Sequence, residues 1–281
     1  MGQFVNILVT GATGFLGSRL VTELECSLNL IFGVSTNGTE TTIGCDLNIR
    51  DSVKALIDDC QPDCIIHCAA CVPRKSSDYQ NDLLGKSNTL MTQNILDASI
   101  CPIIYISSMT VYGSSSSGPV YETEVCVPEN HYAKSKYDCE YMIKASGRQG
   151  LAIRIPGLFG MPRQSGLVYN LVYSALTGNN ITLPKAPIFW AGIHVADAAK
   201  RIINLLPKAK KSFSEINIGC SGQTSVNQLI DLVNDIFGSE IETTVKHPVF
   251  EFDLTRYQIL SSLPAANLRQ SLKNFGDEID V

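Results

Sequence analysis

Three groups of residues in this chain have the types and spacing needed for proton transfer beside a bound nucleotide. Tyr132 and Lys136 stand four residues apart in H-Y-A-K-S-K, and Ser108 closes the upstream run I-S-S. Near the beginning, three glycines stand in G-A-T-G-F-L-G, from Gly11 to Gly17. We predict that the glycine turn seats a dinucleotide. The tyrosine, lysine and serine would move a proton to or from a sugar hydroxyl while hydride is exchanged with the nicotinamide.

The tyrosine and lysine could together make a phenol useful as an acid or a base. A free tyrosine has a pKa of about 10, and a nearby ammonium lowers it by stabilising the phenolate. The spacing places Tyr132 and Lys136 on one helix face. Ser108 follows a predicted strand, where it could hydrogen-bond the reacting oxygen. A solvated helix face would look the same, but the order of glycine turn, serine, tyrosine and lysine favours catalysis.

The glycine-rich turn follows the first apolar run and opens a helix. Glycine permits a tight turn and close approach of the backbone to a pyrophosphate, and the helix N-terminus attracts phosphate. A plain connector is the alternative, but the position within a strand–helix–strand unit favours a nucleotide site. The residues that we assign to cofactor binding in this turn are Gly11, Thr13, Gly14, Phe15, Leu16 and Gly17.

The end of the second predicted strand bears on which cofactor is used. NAD-selective sites usually carry Asp or Glu there, whereas this chain reads G-V-S-T-N around Ser35. Small hydroxyl and amide groups would tolerate a 2′-phosphate, so the segment favours NADP(H) over NAD(H), although no arginine follows to make a charge-assisted contact. Further on, Asp46 and Leu47 could frame the adenine, or Asp46 could be a turn or N-cap residue.

Short apolar runs alternate with helix-like stretches through the first half of the chain. This alternation predicts an α/β protein with a doubly wound parallel sheet and helices on both faces. The predicted strands are residues 4–10, 30–34, 64–68, 102–106 and 151–155, and the predicted helices are 15–26, 51–59, 82–98 and 132–146.

The alternation weakens in the later part of the chain, which predicts a smaller, interleaved C-terminal substrate lobe. We expect a dinucleotide-binding domain of residues 1–165, to which residues 193–210 return, and a lobe of residues 166–192 and 211–281. A length of 281 residues suits one large domain with a small lobe.

The composition excludes some classes of partner. A net charge of −5 argues against general affinity for nucleic acid or acidic membranes. The first apolar run, residues 4–9, is too short for a signal core or a membrane span. We therefore expect a cytoplasmic protein.

Ten cysteines raise the question of a metal site. Cys64 and Cys68 lie in a predicted buried strand, and the cluster from Cys60 to Cys71 matches no zinc pattern of paired C-x-x-C units. We expect reduced, buried thiols and no metal. His67, in the same strand, is interpreted as a hydrogen-bonded core histidine.

Taken as a set, these motifs resemble the extended short-chain dehydrogenase/reductase family, the NAD-dependent epimerase/dehydratase group that acts on nucleotide sugars. The resemblance runs to about Ala199. Its matching segments are T-G-A-T-G-F-L-G (10–17), C-D-L (45–47), I-I-H-C-A-A (65–70), S-S-M-T-V-Y-G (107–113), Y-A-K-S-K (132–136), R-I-P-G-L-F-G (154–160) and I-H-V-A-D-A-A (193–199).

The resemblance implies a Rossmann domain with a substrate lobe, and it implies roles by position. Tyr132 would be the general acid/base, Lys136 its partner at the cofactor, and Ser108 the contact to the substrate oxygen. It also implies a homodimer paired through the helices at 82–98 and 132–146. Further implied cofactor contacts are Ala69, Ala70, Asn88, Ser107 and Pro156, and further implied substrate contacts are Met109 and Tyr112.

Two departures from the family pattern concern the substrate. Where the family often has an arginine that grips the nucleotide diphosphate, this chain reads W-A-G from Trp190. Gly157 stands where many epimerases have asparagine. Arg163 is a candidate for the diphosphate, whereas Arg256 is better interpreted as a surface charge. Trp190 could stack on a nucleobase or pack under the lobe.

These observations predict an NADP(H)-dependent reductase of a keto group on a nucleotide-activated deoxysugar. One alternative is a nucleotide-sugar 4-epimerase with tightly bound NAD. Another is a non-catalytic scaffold subunit that keeps the cofactor fold. A dehydratase is disfavoured, because Met109 and Thr110 stand where dehydratases of this family carry an Asp-Glu pair.

Overall fold

The computed structural model describes residues 6–25, 29–114 and 118–280. The first two residues of the predicted strand 4–10, the last residue of the predicted helix 15–26 and Ser115–Ser117 lie outside the described residues. None of the helices in the described part is both long and apolar enough to cross a membrane.

Strands and helices alternate along the described chain. The strands are β1 Asn6–Thr10, β2 Leu30–Ser35, β3 Ile43–Gly44, β4 Cys64–His67, β5 Ile103–Ser108, β6 Pro119–Val120, β7 Gly150–Ile155, β8 Gly157–Phe159, β9 Gly192–His194, β10 Ser214–Asn217 and β11 Glu251–Phe252. The α-helices are α1 Phe15–Glu25, α2 Arg50–Cys60, α3 Asp82–Ala98, α4 His131–Ala145, α5 Leu167–Thr177, α6 Val195–Asn204, α7 Val226–Phe237, α8 Thr255–Leu260 and α9 Leu268–Glu278.

Seven of these strands form one sheet in the order β10-β7-β5-β4-β1-β2-β3. The pairings from β3 through β2, β1 and β4 to β5 are parallel. Strands β4, β5 and β7 are buried along their whole length, as expected for a parallel sheet covered on both faces. The predicted α/β class and doubly wound sheet are confirmed.

Helix α4 carries the predicted proton-transfer pair and starts at a defined point. The side chain of Asn130 caps it by accepting a 2.9 Å hydrogen bond from the backbone of Ala133. Ala133, Lys136, Glu140 and Ile143 then follow at helical spacing and are all buried. Because these residues share one face, the helix presents polar side chains to the protein interior.

The chain divides into two compact units. Unit 1 contains the described residues of Met1–Gly113, Val125–Arg154 and Ala199–Ile216, and unit 2 those of Ser114–Glu124, Ile155–Ala198 and Asn217–Val281. These bounds differ from the predicted domains, since residues 155–165 lie in unit 2 and 211–216 in unit 1. Strand pairing gives the reason: β8 pairs with β9 in unit 2, whereas β10 extends the main sheet beside β7.

The core of unit 2 is aromatic around the end of α9. The ring of His194 lies 5.4 Å from that of Phe159 and 6.0 Å from that of Phe275. Its Nε2 is 3.3 Å from a carboxylate oxygen of Glu278. The last helix is therefore joined to β9 by both apolar and polar contacts.

We expect Ile65→Ala to destabilise the protein strongly, because Ile65 is fully buried in the centre of the sheet. The expected loss of unfolding free energy is about 2–5 kcal/mol. Urea denaturation measures it. Ile100→Ala is the matched control, since Ile100 is 93% exposed and should change stability by less than about 0.5 kcal/mol. Equal losses for the two variants would contradict the position of β4.

Candidate active site

The glycine turn joins β1 to α1 and leaves no room for side chains. Gly11 has φ +69°, and a Cβ on it would lie 2.8 Å from the backbone of Ala69. A Cβ on Gly17 would come within 2.0 Å of the carbonyl oxygen of Gly11. The bare backbone and the N-terminus of α1, where N–H groups point away from the helix, fit the phosphates of a dinucleotide.

The other residues assigned to this turn differ in how far they are exposed to solvent. Thr13 and Gly14 are exposed and Phe15 is half-buried, so all three can face a ligand. The side chain of Leu16 is buried. Leu16 therefore contributes packing and backbone to the turn, and its side chain belongs to the core.

The segment after β2 is hydrogen-bonded within itself. The hydroxyl of Ser35 lies 2.8 Å from that of Thr42, which also lies 2.8 Å from the hydroxyl of Thr39. Further on, Asp46 Oδ1 accepts hydrogen bonds from the backbone and side-chain nitrogens of Asn48, at 2.9 and 3.0 Å. This geometry favours the turn interpretation of Asp46.

The segment after β4 lies beside the glycine turn. Ala69 and Ala70 are half-buried, and the backbone of Ala69 donates to the hydroxyl of Thr10 at 3.2 Å. Asn88 accepts from the backbone of Cys71 at 2.7 Å and donates to Ser135 at 3.1 Å. Asn88 thus supports the segment against α4. Leu47, also assigned to this region, is buried, and its carbonyl accepts from the Asn94 side chain at 2.8 Å.

His67 links three elements beneath the turn. Its Nδ1 is 2.8 Å from the hydroxyl of Thr10 on β1, and its Nε2 is 3.2 Å from the hydroxyl of Thr92 on α3. Burial, and then the charge of Lys136, lowers the pKa of His67 to about 3. The imidazole is therefore neutral, and the predicted hydrogen-bonded core histidine is confirmed.

The structure brings Tyr132, Lys136 and Ser108 together. Tyr132 and Lys136 lie in the first two turns of α4, and Ser108 is the last residue of β5. Ser108 hydrogen-bonds Tyr132, and its hydroxyl also accepts from the backbone and side chain of Thr110, at 3.2 and 2.9 Å. Lys136 Nζ donates to the carbonyl of Ile106 at 2.8 Å and lies 5.8 Å from the centre of the Tyr132 ring.

Burial dominates the ionisation of this set. It raises the pKa of Tyr132, with smaller contributions from Tyr79 and Cys68, while the bond to Ser108 acts in the opposite direction. Burial lowers the pKa of Lys136. The sequence predicted a tyrosine pKa lowered by the lysine, whereas burial raises the pKa of Tyr132, so the phenol keeps its proton at neutral pH.

Two predicted contact residues, Ser107 and Tyr112, lie behind the site rather than on its surface. Both are buried, at 2% and 3% exposure. Ser107 donates its hydroxyl hydrogen bond to Glu140, and the Tyr112 hydroxyl accepts from Arg154 at 2.9 Å. Their polar groups are thus engaged by the buried pair of Glu140 and Arg154, which are 2.7 Å apart. Met109, in the same turn, is half-buried.

Glu140 is not among the site residues predicted from the sequence. A signal for it was present, because Glu140 follows Lys136 by four residues and so shares its helix face. An acidic residue on the inward face of a helix requires a buried cation. Arg154, in the next predicted strand, is such a cation.

The remaining predicted residues lie in unit 2. Pro156 is buried between β7 and β8. Arg163 is exposed, with Nη1 3.5 Å from the carbonyl of Leu158. Trp190 is half-buried and its ring lies against the backbone of Gly192, which favours the packing interpretation.

Arg256 also differs from a free surface charge. It is 34% exposed, and its Nε lies 3.9 Å from a carboxylate oxygen of the buried Glu122. Among the described residues, no group of three or more His, Cys, Asp or Glu could hold a metal ion.

Comparison with known proteins gives relatives of several kinds. Methionine adenosyltransferase 2 subunit beta of Xenopus laevis is 31% identical over 158 residues, which are 54% of this chain. The chain spans about half, 47%, of the length of that relative. GDP-6-deoxy-D-talose 4-dehydrogenase of Aggregatibacter actinomycetemcomitans is 26% identical over 85% of this chain and 82% of that protein.

Solved structures agree on the fold. A UDP-glucose 4-epimerase of Thermotoga maritima, solved with UDP-glucose, superposes with a TM-score of 0.80 over 98% of each chain. At 23% identity, this likeness shows the fold.

A family model decides the relationship. The model of the NAD dependent epimerase/dehydratase family matches residues 7–219, which is more than half of the chain. The match contains the glycine turn, Ser108, Tyr132 and Lys136, and the sheet order agrees with the predicted Rossmann architecture. The chain belongs to the NAD-dependent epimerase/dehydratase family.

Proposed function

We propose that the protein is an NAD(P)H-dependent oxidoreductase that reduces a keto group of a nucleotide-activated sugar, with Tyr132 as the proton donor. The observation that carries the proposal is the half-buried Tyr132, whose phenol is hydrogen-bonded to Ser108 and which lies one helical turn from Lys136. Reduction of a ketone consumes one hydride and one proton. A phenol that keeps its proton at neutral pH suits this direction.

In the proposed reaction, the chain's own residues bind the cofactor and move the proton. Gly11, Gly14 and Gly17 would hold the phosphates at the start of α1, and Ala69 and Ala70 would line the groove. NAD(P)H, when bound, supplies the hydride. The proton passes from the hydroxyl of Tyr132 to the substrate oxygen.

Ser108 and Lys136 complete the proton transfer. Ser108 would hydrogen-bond the same substrate oxygen and hold it beside the phenol. The ammonium of Lys136 would stabilise the phenolate that remains after the transfer. Such general acid catalysis is typically worth about 10²–10⁴-fold.

The proposed cofactor preference is for NADP(H). It is supported by the hydroxyl-rich segment at the end of β2, where Ser35 stands in place of the usual acid and is hydrogen-bonded to Thr42, which also contacts Thr39. An acid at this position would repel a 2′-phosphate, whereas hydroxyl groups tolerate it.

A second candidate is a nucleotide-sugar 4-epimerase, which the likeness to the Thermotoga maritima enzyme favours. The same tyrosine and serine could serve it, but its NAD would stay bound through the cycle. A scaffold function is a third candidate, since the Xenopus laevis relative is named as a subunit. Two observations distinguish the three candidates. Only the epimerase should retain its cofactor through purification, and only the scaffold should function without the Tyr132 hydroxyl.

We further propose a homodimer formed through α3 and α4. The outward faces of these helices expose large apolar side chains, whose burial would favour association. The exposed residues are Leu83, Leu90, Tyr137 and Tyr141.

The proposed cofactor preference can be measured directly on the purified protein. Titration followed by nucleotide fluorescence should show reversible NADPH binding to a protein that carries no nucleotide after purification, with NADH weaker. Gly17→Ala should weaken NADPH binding about 10- to 100-fold, equivalent to about 1.4–2.8 kcal/mol, because the added Cβ would displace the backbone of the turn that approaches the phosphates. Ser18→Ala, an exposed neighbour on α1, is the control. Co-purified NAD(H) would support the epimerase instead.

Tyr132→Phe should lower kcat for keto-sugar reduction by about 10²–10⁴-fold. Cofactor affinity should remain close to that of the wild type, because only the phenolic proton is lost. The consumption of NADPH measures the rate. Tyr137→Phe, exposed on the same helix, is the control and should remain active. A fully active Tyr132→Phe variant would reject the proposed donor.

The same assay should show a defined pH dependence. Because burial raises the pKa of Tyr132, the phenol stays protonated through neutral pH, and the reduction rate should be flat there. The rate should fall only on the strongly alkaline side, as the proton is lost. A fall of kcat within the physiological range, about pH 6 to pH 8, would contradict the assignment of Tyr132 as the proton donor.

Light scattering should give a particle of twice the 30.6 kDa chain mass. Replacing both Leu90 and Tyr141 with Glu should give a folded monomer, because charges would then face each other across the interface. Ile100→Glu, on an exposed site outside both helices, should leave the mass unchanged. A wild-type monomer would reject the dimer.

A further inference from the structure

Two residues near Ser108 in the chain, Ser107 and Tyr112, are hydrogen-bonded to the same buried ion pair. Ser107, directly before Ser108, donates a hydrogen bond to Glu140. Tyr112, in the turn after it, accepts one of 2.9 Å from Arg154. The side chains of Glu140 and Arg154 are each 3% exposed and lie 2.7 Å apart. The strand end and the turn that carry Ser108 are therefore fixed from two sides by the same pair.

The pair also meets the helix that carries the proton donor. Glu140 lies on α4, one helical turn beyond Lys136 and two beyond Tyr132. Arg154 lies on β7, which neighbours β5 in the sheet. Its Nε donates to Oε1 of Glu140 at 3.1 Å and its Nη2 donates to Oε2 at 2.7 Å, and this two-pronged geometry fixes the direction of the contact as well as its length.

The turn Met109–Tyr112, which follows β5, sets the orientation of the Ser108 hydroxyl. The hydroxyl oxygen of Ser108 accepts hydrogen bonds from the backbone and the hydroxyl of Thr110, and Ser108 is also hydrogen-bonded to Tyr132. A displacement of the turn would therefore move the serine relative to the phenol. Misplacement by about 1 Å can cost about 10²-fold in rate.

We propose that Glu140 and Arg154 are positioning residues for proton transfer, which act through Ser107 and Tyr112 to hold the Ser108 hydroxyl against Tyr132. The inference rests on the proposed function. A buried ion pair that serves stability alone can be replaced by apolar side chains of similar volume without loss. If the pair positions the serine, the same replacement keeps the fold but lowers the catalytic rate, because Ser107 and Tyr112 no longer have the partners that hold the turn in place.

The charge of Glu140 has an effect of its own on the site. Burial lowers the pKa of Lys136, and nearby groups oppose this in the order Cys139, Cys68, Glu140 and Cys71. Glu140 is the carboxylate in this set, so at neutral pH it helps to keep the ammonium charged.

The decisive variant replaces the pair as a unit, with both Glu140 and Arg154 changed to Met. A single replacement would leave an unpaired buried charge and destabilise the fold strongly. We expect the double variant to unfold near the wild-type temperature and to bind NADPH with similar affinity. Its kcat should fall about 10- to 100-fold, with little change in the KM for NADPH.

A second variant tests the same connection without touching the charges. Ser107→Ala combined with Tyr112→Phe removes only the two hydroxyls, and should lower kcat in the same direction by a smaller factor. The control is Lys134→Gln combined with Asp138→Asn. These residues form an ion pair on the same helix that is 61% and 38% exposed, and its loss should leave kcat unchanged.

A readout in the free protein separates this inference from the proposed function. The ring-carbon NMR signal of Tyr132, assigned with Tyr132→Phe, reports its hydrogen bond to Ser108. It should shift in both network variants and stay in place in the control. If the wild type reduces no keto-sugar nucleotide, the proposed function fails, and the NMR comparison still decides the positioning role.

Two results would overturn the positioning role. One is a folded Glu140→Met/Arg154→Met variant with wild-type kcat and an unshifted Tyr132 signal. The other is wild-type kcat and an unshifted Tyr132 signal in the Ser107→Ala/Tyr112→Phe variant. This second result decides the question if the Glu140→Met/Arg154→Met variant does not fold.

Discussion

The inner face of α4 is polar, and its buried charges must find partners inside the protein. Lys136 and Glu140 are each 3% exposed, where an isolated charge would be very costly. Lys136 donates to a carbonyl of β5, and Glu140 pairs with Arg154 of β7. The position of the helix on the sheet satisfies both charges at once. That position places Tyr132, in the first turn of α4, beside Ser108.

Apolar periodicity was enough to predict the longer strands and helices of the first half of the chain, because burial of apolar runs decides where such elements form. The predicted helix 82–98 is found at Asp82–Ala98. Strand β5 continues past the predicted end at Ile106 to Ser108. The apolar run stops there, but hydrogen bonds to polar side chains allow the strand to continue. Such partners come from distant parts of the chain, and a local pattern does not reveal them.

The ionisation of Tyr132 shows the same limit at the candidate site. Spacing along the helix correctly predicted that Lys136 lies near it, at 5.8 Å from the ring centre. Spacing gives no measure of desolvation, and burial raises the pKa of the phenol. The ammonium also donates to the carbonyl of Ile106. Proximity could therefore be predicted from sequence, whereas the protonation state required the three-dimensional surroundings.

A proton-transfer set of this kind does not by itself distinguish reduction from epimerisation, since either reaction can use the same phenol. The difference lies in how firmly the cofactor is held, because an epimerase recovers its hydride in each cycle and a reductase must exchange its cofactor. In this chain the turn after β2 is ordered by its own hydroxyls, at Ser35, Thr39 and Thr42. An acid that would grip the ribose is missing from G-V-S-T-N. In the proposed reductase, the missing acid would remove one contact to the ribose and so ease the exchange of cofactor that each turnover requires.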